Sequence, residues 1–415
     1  MIFTPYPDEM EKINLIQRYN SGDYALLRLT FTMIDKNNLD ANGFFRDILL
    51  QAGIVDYEAL DHGGKNGKSV MADFILPGRV DGVKMNFYRV ANARGDRRFS
   101  IESIRQKAKD QWINEGDLLY LACTKGGEGQ PKVMIINLTH HFPAASDLEA
   151  RLGVDDVYQY LEELRPKLVS IVRSGYHDNA KGAGKISPKD VGDTLEALLG
   201  IETNNRCDAD YKGRIEIKAK AGKTLDTLFT LRPCFEGTPI AAYEPNDRQR
   251  VSAFARYYGY ESSKHPGAKS LYITIGSEAA PQNTQGFYLE VNEEDRRVEL
   301  RRTRAAAKKS ELTAFWTFSA LKEELYRKHP ATLWVAGKAR MHEGIAQFQY
   351  EKILFSRSPQ FTTFLTLIKE GVVTYDWRGY TSADGEYQGK NHGNAWRIKA
   401  KRKDDLFGTL ETLAI

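Results

Sequence analysis

The sequence predicts two domains: an N-terminal β-rich barrel or sandwich, and a C-terminal α/β domain in which helices flank a mixed sheet. Three observations predict this. The chain has 415 residues, more than a single core usually serves. Up to about position 140, runs rich in aromatic and β-branched residues alternate with turn clusters. Past a break at Pro143, Ala144, Ala145 and Ser146, apolar residues take helical spacing and interleave with strand-like runs.

Composition narrows the class. With 41% hydrophobic and 27% charged residues the chain reads as an ordinary globular protein, and a net charge of +4 is too small to identify a polyanionic partner by itself. Local clustering must carry that argument. Cys123, Cys207 and Cys234 share no CxxC spacing and cannot all pair, which speaks against a disulfide framework or a zinc site and fits a reducing cytoplasm. The N-terminal residues MIFTPYPDEMEKIN lack a basic-then-apolar signal, and no run nears the roughly eighteen apolar residues of a membrane span. The expectation is a cytoplasmic protein with no membrane partner.

In the N-terminal domain (1–142), strands are expected at Tyr24 to Ile34, Ser69 to Gly78, Val83 to Ala91, Asp117 to Cys123 and Lys132 to Leu138. Short helices are expected near Phe44 to Gln51 and Ile104 to Trp112. Two polar segments interrupt the strands. Asp35 to Gly43 carries Lys36 and Asn37, and Ala91 to Ser100, with Arg89 just before it, carries Arg94, Asp96, Arg97 and Arg98 around a glycine turn. They read either as solvated loop tips or as two arms gripping a nucleic acid, where Arg can clamp guanine and Asp or Asn can pair with cytosine or adenine.

Residues 143–164 form a linker or the first helix of the second domain, with Asp147 as a candidate cap and Val157, Tyr160, Leu161 and Leu164 at helical spacing. From 165 to 415 strands are expected at Lys223 to Pro233, Lys269 to Gly276 and, as a hairpin, Gln285 to Arg302; helices are expected at Phe318 to Pro330 and Thr362 to Gly371.

One stretch of this domain, Gly192 to Lys220, carries chemistry. A short amphipathic helix bearing Glu196 leads through a polar turn with Asp208 and Asp210 into RIEIKAK. Period-two alternation places Arg214, Glu216, Lys218 and Lys220 on one face and Ile215 and Ile217 on the other. An acid pair and an ammonium can therefore converge on one hydrated cation, which suits metal-assisted phosphodiester hydrolysis. E-x-K also occurs in ordinary exposed strands, but here the strand is half apolar, and burying acid and base together is costly unless they pair. Other patterns fail. Gly67-Lys68-Ser69 has His62 where a phosphate-binding loop needs glycine, and Gly222-Lys223-Thr224 has Ile217 there. His140 and His141, adjacent in a strand, would point to opposite faces and do not form a metal site.

The succession TLEALLGIETNN, DYKGRIEIKAK, TLDTLFTLRP, QGFYLEV, TLWVAGKAR, FQYEKILF and YDWRGY…HGNAWRI, from about 165 to 415, resembles the MvaI/BcnI-type restriction endonucleases. The resemblance implies a PD-(D/E)xK nuclease core, sequence-specific cleavage of double-stranded DNA at a CCNGG-type site, and a 5′-phosphate product. Asp210, Glu216 and Lys218 match the family's catalytic residues, with Asp210, Glu216 and the carbonyl of Ile217 as ligands for Mg2+. Glu196 matches a helix carboxylate that is either accessory or structural. Ala209 replaces the family's proline and Arg214 is inserted, so Asp208 stays open beside Asp210. Asp376, Arg378, His392 and Arg397 match the base-contacting region, His392 being either the sensor of the central base pair or a plain loop residue. Arg296, Arg297, Arg301, Arg302, Arg304, Lys308 and Lys309 form a basic cluster that either contacts phosphates or is a loop.

RGDRRFSI followed by EGDLLYLA resembles the N-terminal effector domain of EcoRII-type enzymes, a B3-like pseudobarrel. It implies a type IIE arrangement: a monomer binding two copies of a site such as CC(A/T)GG, paired with a cognate DNA methyltransferase. A nicking repair nuclease and a DNA-binding regulator with an inactive core are the alternatives.

Overall fold

The computed structural model describes residues 5–414 except 21, 93, 125–130, 183–186, 202–207, 223–224, 243–246, 304–309, 383–388, 392 and 409. The chain divides into two compact units, Met1–Glu162 and Glu163–Ile415. Among the described residues no helix is long and apolar enough to cross a membrane.

Unit 1 is built on one sheet of β1 (Tyr24–Arg28), β2 (Leu39–Asp40), β3 (Lys68–Leu76), β4 (Arg79–Arg89), β5 (Arg97–Ile101), β6 (Leu118–Cys123) and β7 (Val133–Asn137). Their order is β1-β6-β7-β3-β4-β5-β2, and only the β3–β7 pair is parallel. The helices are α1 (Pro7–Gln17), α2 (Phe31–Lys36), α3 (Gly43–Gln51), α4 (Ile104–Lys109) and α5 (Ala145–Leu152). β6 and β7 read as unbroken apolar runs because both of their faces are covered. Leu119, Leu121, Val133 and Ile135 join Phe45 of α3 with Phe87 and Phe99, whereas Tyr120, Met134 and Ile136 join Ile13 and Ile16 of α1 and Leu148 of α5.

Two differences from the sequence expectation have local causes. The first strand ends at Arg28, not Ile34, because the Thr30 side chain accepts a hydrogen bond from the Met33 amide and starts α2. Helix α1 lies outside the expected elements; it opens on Pro7 with Glu9 reaching back to the Tyr6 amide at 2.9 Å. His140 and His141 leave the sheet: His140 Nδ1 lies 2.6 Å from Asp117 Oδ1, and the His141 ring packs on Trp112.

Helix α6 (Asp156–Arg173) runs across the division. Unit 2 then adds β8 (Tyr176–Asp178), α7 (Asp190–Leu199), β9 (Glu216–Lys220), β10 (Asp226–Phe229), α8 (Asp247–Tyr258), β11 (Tyr260–Glu261), β12 (Ala268–Ile275), β13 (Phe287–Asn292), β14 (Arg297–Thr303), β15 (Ser310–Thr317), α9 (Phe318–Lys328), β16 (Ala331–His342), β17 (Ile345–Arg357), α10 (Phe361–Lys369), β18 (Val373–Ser382), β19 (Gly389–Asn391), β20 (Ala395–Ile398), α11 (Lys403–Phe407) and β21 (Glu411–Thr412). Helices interleave with strands as expected, including the β13–β14 hairpin and the helices α9 and α10, and the sheet that holds β9 is mixed.

One sheet runs β10-β20-β18-β12-β11 with β19 beside β18, a second runs β21-β17-β16-β9 with β8 beside β17, and a third is β13-β14-β15. The β9–β16 pair is parallel, setting Glu216 opposite Thr332 and Lys218 opposite Trp334. On β18, Tyr375 and Trp377 point into the core, where Phe254 of α8 stacks on Trp377 at 4.0 Å. The alternate positions Asp376 and Arg378 therefore share the opposite face.

Candidate active site

A tight turn delivers the acid that precedes the strand. Tyr211 and Ile215 exchange backbone hydrogen bonds, and the turn between them uses the left-handed region at Lys212 (φ 51°) and Gly213 (φ 69°). The inserted Arg214 is absorbed here, its amide bonded to the Tyr211 carbonyl at 3.0 Å. Glu163 steadies the turn from α6, accepting from Tyr211 Oη at 3.0 Å and Lys212 Nζ at 2.6 Å. The result folds Asp210 back onto β9, where its Oδ2 accepts from the Ile217 amide at 2.8 Å. Asp208 instead faces solvent, 3.9 Å from Arg327.

Glu216 is only 1% exposed. Its Oε1 accepts from the Lys218 ammonium, its Oε2 is buried without a hydrogen bond, and Lys328 Nζ stands 3.7 Å from Oε2. Glu196 is half-buried on α7 and close enough to feel Asp210, Lys218 and Glu216. The crowding marks the acids. Burial and then the Glu216 charge push the Asp210 pKa up to about 6, against the Ile217 amide and two lysines. Burial and then Asp210 push Glu196 up to about 7. Burial works to lower the Lys218 pKa, but Glu216, Asp210 and Glu196 outweigh it and raise it above the usual lysine value. Lys218 is therefore a cation at neutral pH.

Among the described residues no group of three His, Cys, Asp or Glu side chains is close enough to hold a metal ion. Asp210, Glu216 and a backbone carbonyl such as that of Ile217 form a smaller donor set. Its hard oxygens, crowded acids and one open carboxylate oxygen fit a hard divalent cation that keeps several waters.

Elsewhere in the unit, Asp376 is fully buried. Its Oδ1 accepts from Thr274 Oγ1 at 2.7 Å, and its Oδ2 lies 2.6 Å from Arg378 and 2.8 Å from Arg397, though neither guanidinium is aligned to hydrogen-bond with it. The carboxylate expected to accept from cytosine is thus occupied inside the protein, and the two arginines carry the exposed edge of the cluster, Arg378 with 41% of its side chain accessible. His392 lies outside the described residues, as do Arg304, Lys308 and Lys309. Arg297 and Arg301 of the basic cluster pair with Glu299, and Arg302 sits over the Tyr258 and Phe287 rings.

In unit 1, Lys36 and Arg94 are exposed. Asn37 adopts a left-handed backbone, and its amide brackets Ile101, donating to its carbonyl and accepting from its amide, both at 3.0 Å, so it serves the fold. Arg98 pairs with Asp40 at 2.6 Å and lies 3.9 Å from Asp96; Arg89 lies 4.0 Å from Glu58, which Arg97 holds with two hydrogen bonds from one nitrogen and one from another.

Sequence reasoning missed Lys328, Thr274 and Glu163. Each comes from an element distant in sequence, and no local spacing marks it.

Residues 166–407 match the MvaI/BcnI restriction endonuclease family, well over half of the chain. A solved complex of restriction endonuclease MvaI with cognate DNA is similar in fold, with a TM-score of 0.51 at 20% identity over 62% of this chain and 99% of that one. MvaI in the absence of DNA matches at a TM-score of 0.39, with 19% identity over 62% of this chain and 98% of that one. No curated protein matches the chain. With the mixed α/β core and the family match over the same unit, the chain belongs to the MvaI/BcnI restriction endonuclease family, and is a DNA-hydrolysing enzyme.

Proposed function

We propose that the chain is a magnesium-dependent type II restriction endonuclease that cuts both strands of duplex DNA at CC(A/T)GG or a related CCNGG site and leaves 5′-phosphates. The observation that carries this reading is the juxtaposition of Asp210, Glu216 and Lys218, with Glu216 Oε2 left open in a buried site. Asp210, Glu216 and the Ile217 carbonyl hold the ion, which when bound supplies Lewis acidity at the scissile phosphate. Lys218, being charged, orients the attacking water and offsets the negative charge that grows on the phosphoryl oxygens. Glu196, half-buried beside these groups, is placed to receive the proton of that water.

Base reading falls to Arg378 and Arg397, whose guanidinium groups suit the O6 and N7 acceptors of guanine. Asp376 sets their direction, and His392 senses the central pair. In unit 1, Lys36, Arg89, Arg94, Asp96 and Arg98 line the arms of a B3-like effector domain that binds a second copy of the site, with Asn37 bracing one arm. The arms' support is the exposure of Lys36 and Arg94 beside a cluster of arginines. Two modules in one monomer raise avidity through effective concentration, and a cognate DNA methyltransferase protects the host. Digestion of phage DNA with magnesium, with EDTA as control, followed by sequencing of the ends, tests the reading. Double-strand cuts at CC(A/T)GG are expected; no cutting at any site overturns it.

A further inference from the structure

Helix α9 brings to the candidate active site a second ammonium that the strand motif does not account for. Lys328 Nζ lies 3.7 Å from Glu216 Oε2, the oxygen that has no hydrogen bond, while Oε1 belongs to Lys218. The hydrogen bond of Lys328 goes instead to the backbone carbonyl of Asp208, at 3.1 Å. It therefore opposes the Glu216 charge without filling the lone pairs of Oε2. Its charge also works to lower the Asp210 pKa. Its neighbour Arg327 is turned to Glu324 and Asp208 and does not share the task.

The backbone that aims Lys328 is fixed. His329 comes next in the chain and is fully buried, with Nδ1 2.8 Å from Thr332 Oγ1 and Nε2 2.9 Å from the Leu228 carbonyl. Thr332 is the residue paired with Glu216 across the parallel strands, so the lysine and the carboxylate are set by one piece of sheet.

We propose that Lys328 is a built-in counter-cation of the site, balancing Glu216 while no metal is bound and competing with the divalent ion for its open oxygen. The proposal rests on the reading of Asp210 and Glu216 as metal ligands. An ammonium about 4 Å from a ligand oxygen repels an arriving cation. Lys328 can withdraw along its flexible stem without breaking a hydrogen bond to Oε2, since none is made. It thereby sets the metal concentration at which the site fills.

Calcium alone, titrated calorimetrically into the full-length protein without DNA, tests this. Lys328→Met is expected to bind calcium roughly threefold to tenfold more tightly than wild type, and to melt lower than wild type when metal-free but level with it when saturated. Lys328→Gln, which keeps a donor for the Asp208 carbonyl, is expected to show the same tightening, while Lys328→Arg stays near wild type. Unchanged or weaker calcium binding by both neutral variants overturns the proposal and leaves Lys328 a tether of Asp208. Wild-type calcium binding by Glu216→Gln also overturns it, and locates the failure in the metal-ligand reading.

Discussion

Glu216 and Asp376 are both acids with almost no exposed surface, yet their surroundings are opposite in balance. Around Glu216, three acids face two lysines, and one carboxylate oxygen is left open. Around Asp376, one acid faces two guanidinium groups and a threonine hydroxyl. The first site is short of positive charge and suits a cation. The second has positive charge to spare, and its unspent donors suit electron-rich acceptors such as those of guanine. On the proposed reading, one unit separates chemistry from recognition by the ratio of charges around a buried carboxylate.

The largest test of that contrast is Glu216→Gln. It should lower single-turnover cleavage by more than about a thousandfold, since a ligand charge is lost where transition-state charge must be offset, while binding of a cognate duplex in calcium buffer survives. Loss of both would merge the two sites and break the comparison. Next comes Asp376→Asn, which leaves two partly buried guanidinium groups without their counter-charge. Denaturant unfolding of unit 2 should show a loss of roughly 3–5 kcal/mol, and discrimination between cognate and altered duplexes should fall.

The titration of the crowded acids gives a smaller, signed effect. Asp210 and Glu196 have pKa values raised to about 6 and about 7, so protons compete with a cation as pH falls through those values. Calcium affinity should therefore fall about tenfold per unit between pH 7 and 6 and approach about a hundredfold per unit below 6, and Glu196→Gln should move the onset of that fall from about 7 toward about 6. The sign for stability is also set. A carboxylate whose folded pKa is raised contributes stability that is fully present below its unfolded value and lost as pH rises through the folded one. In metal-free protein, wild type should thus gain on Glu196→Gln as pH drops from about 7 to about 4.5. The smallest effect is that of Thr274→Val, which strips a hydrogen bond from Asp376 Oδ1 and should cost about 1–2 kcal/mol in chemical denaturation, with cleavage chemistry unaltered.

Asp210 in the turn and Glu216 and Lys218 on β9 were legible because strand periodicity and a short turn are local properties. What lay beyond reach was supplied across the sheet. Lys328 meets Glu216 only through the parallel pairing of β9 with β16, a relation that no window of sequence contains. Asp376 was half legible: alternation in Tyr375-Asp376-Trp377-Arg378 places the acid and the arginine on one face. The depth at which that face lies, and the hydroxyl of Thr274 on β12 that fills it, depend on strand order. In unit 1 the start of α2 was written in Thr30, but β-branched and aromatic neighbours outweighed one capping residue.

The pairing of β9 with β16 joins residues more than a hundred positions apart, Glu216 with Thr332. Contacts of such long range are entropically costly to close, because the intervening chain must give up its freedom. A partly synthesised chain would hold every residue of the strand motif but not the sheet or the α9 lysine that organise it. A chain truncated before β16 is therefore expected to show no cleavage activity.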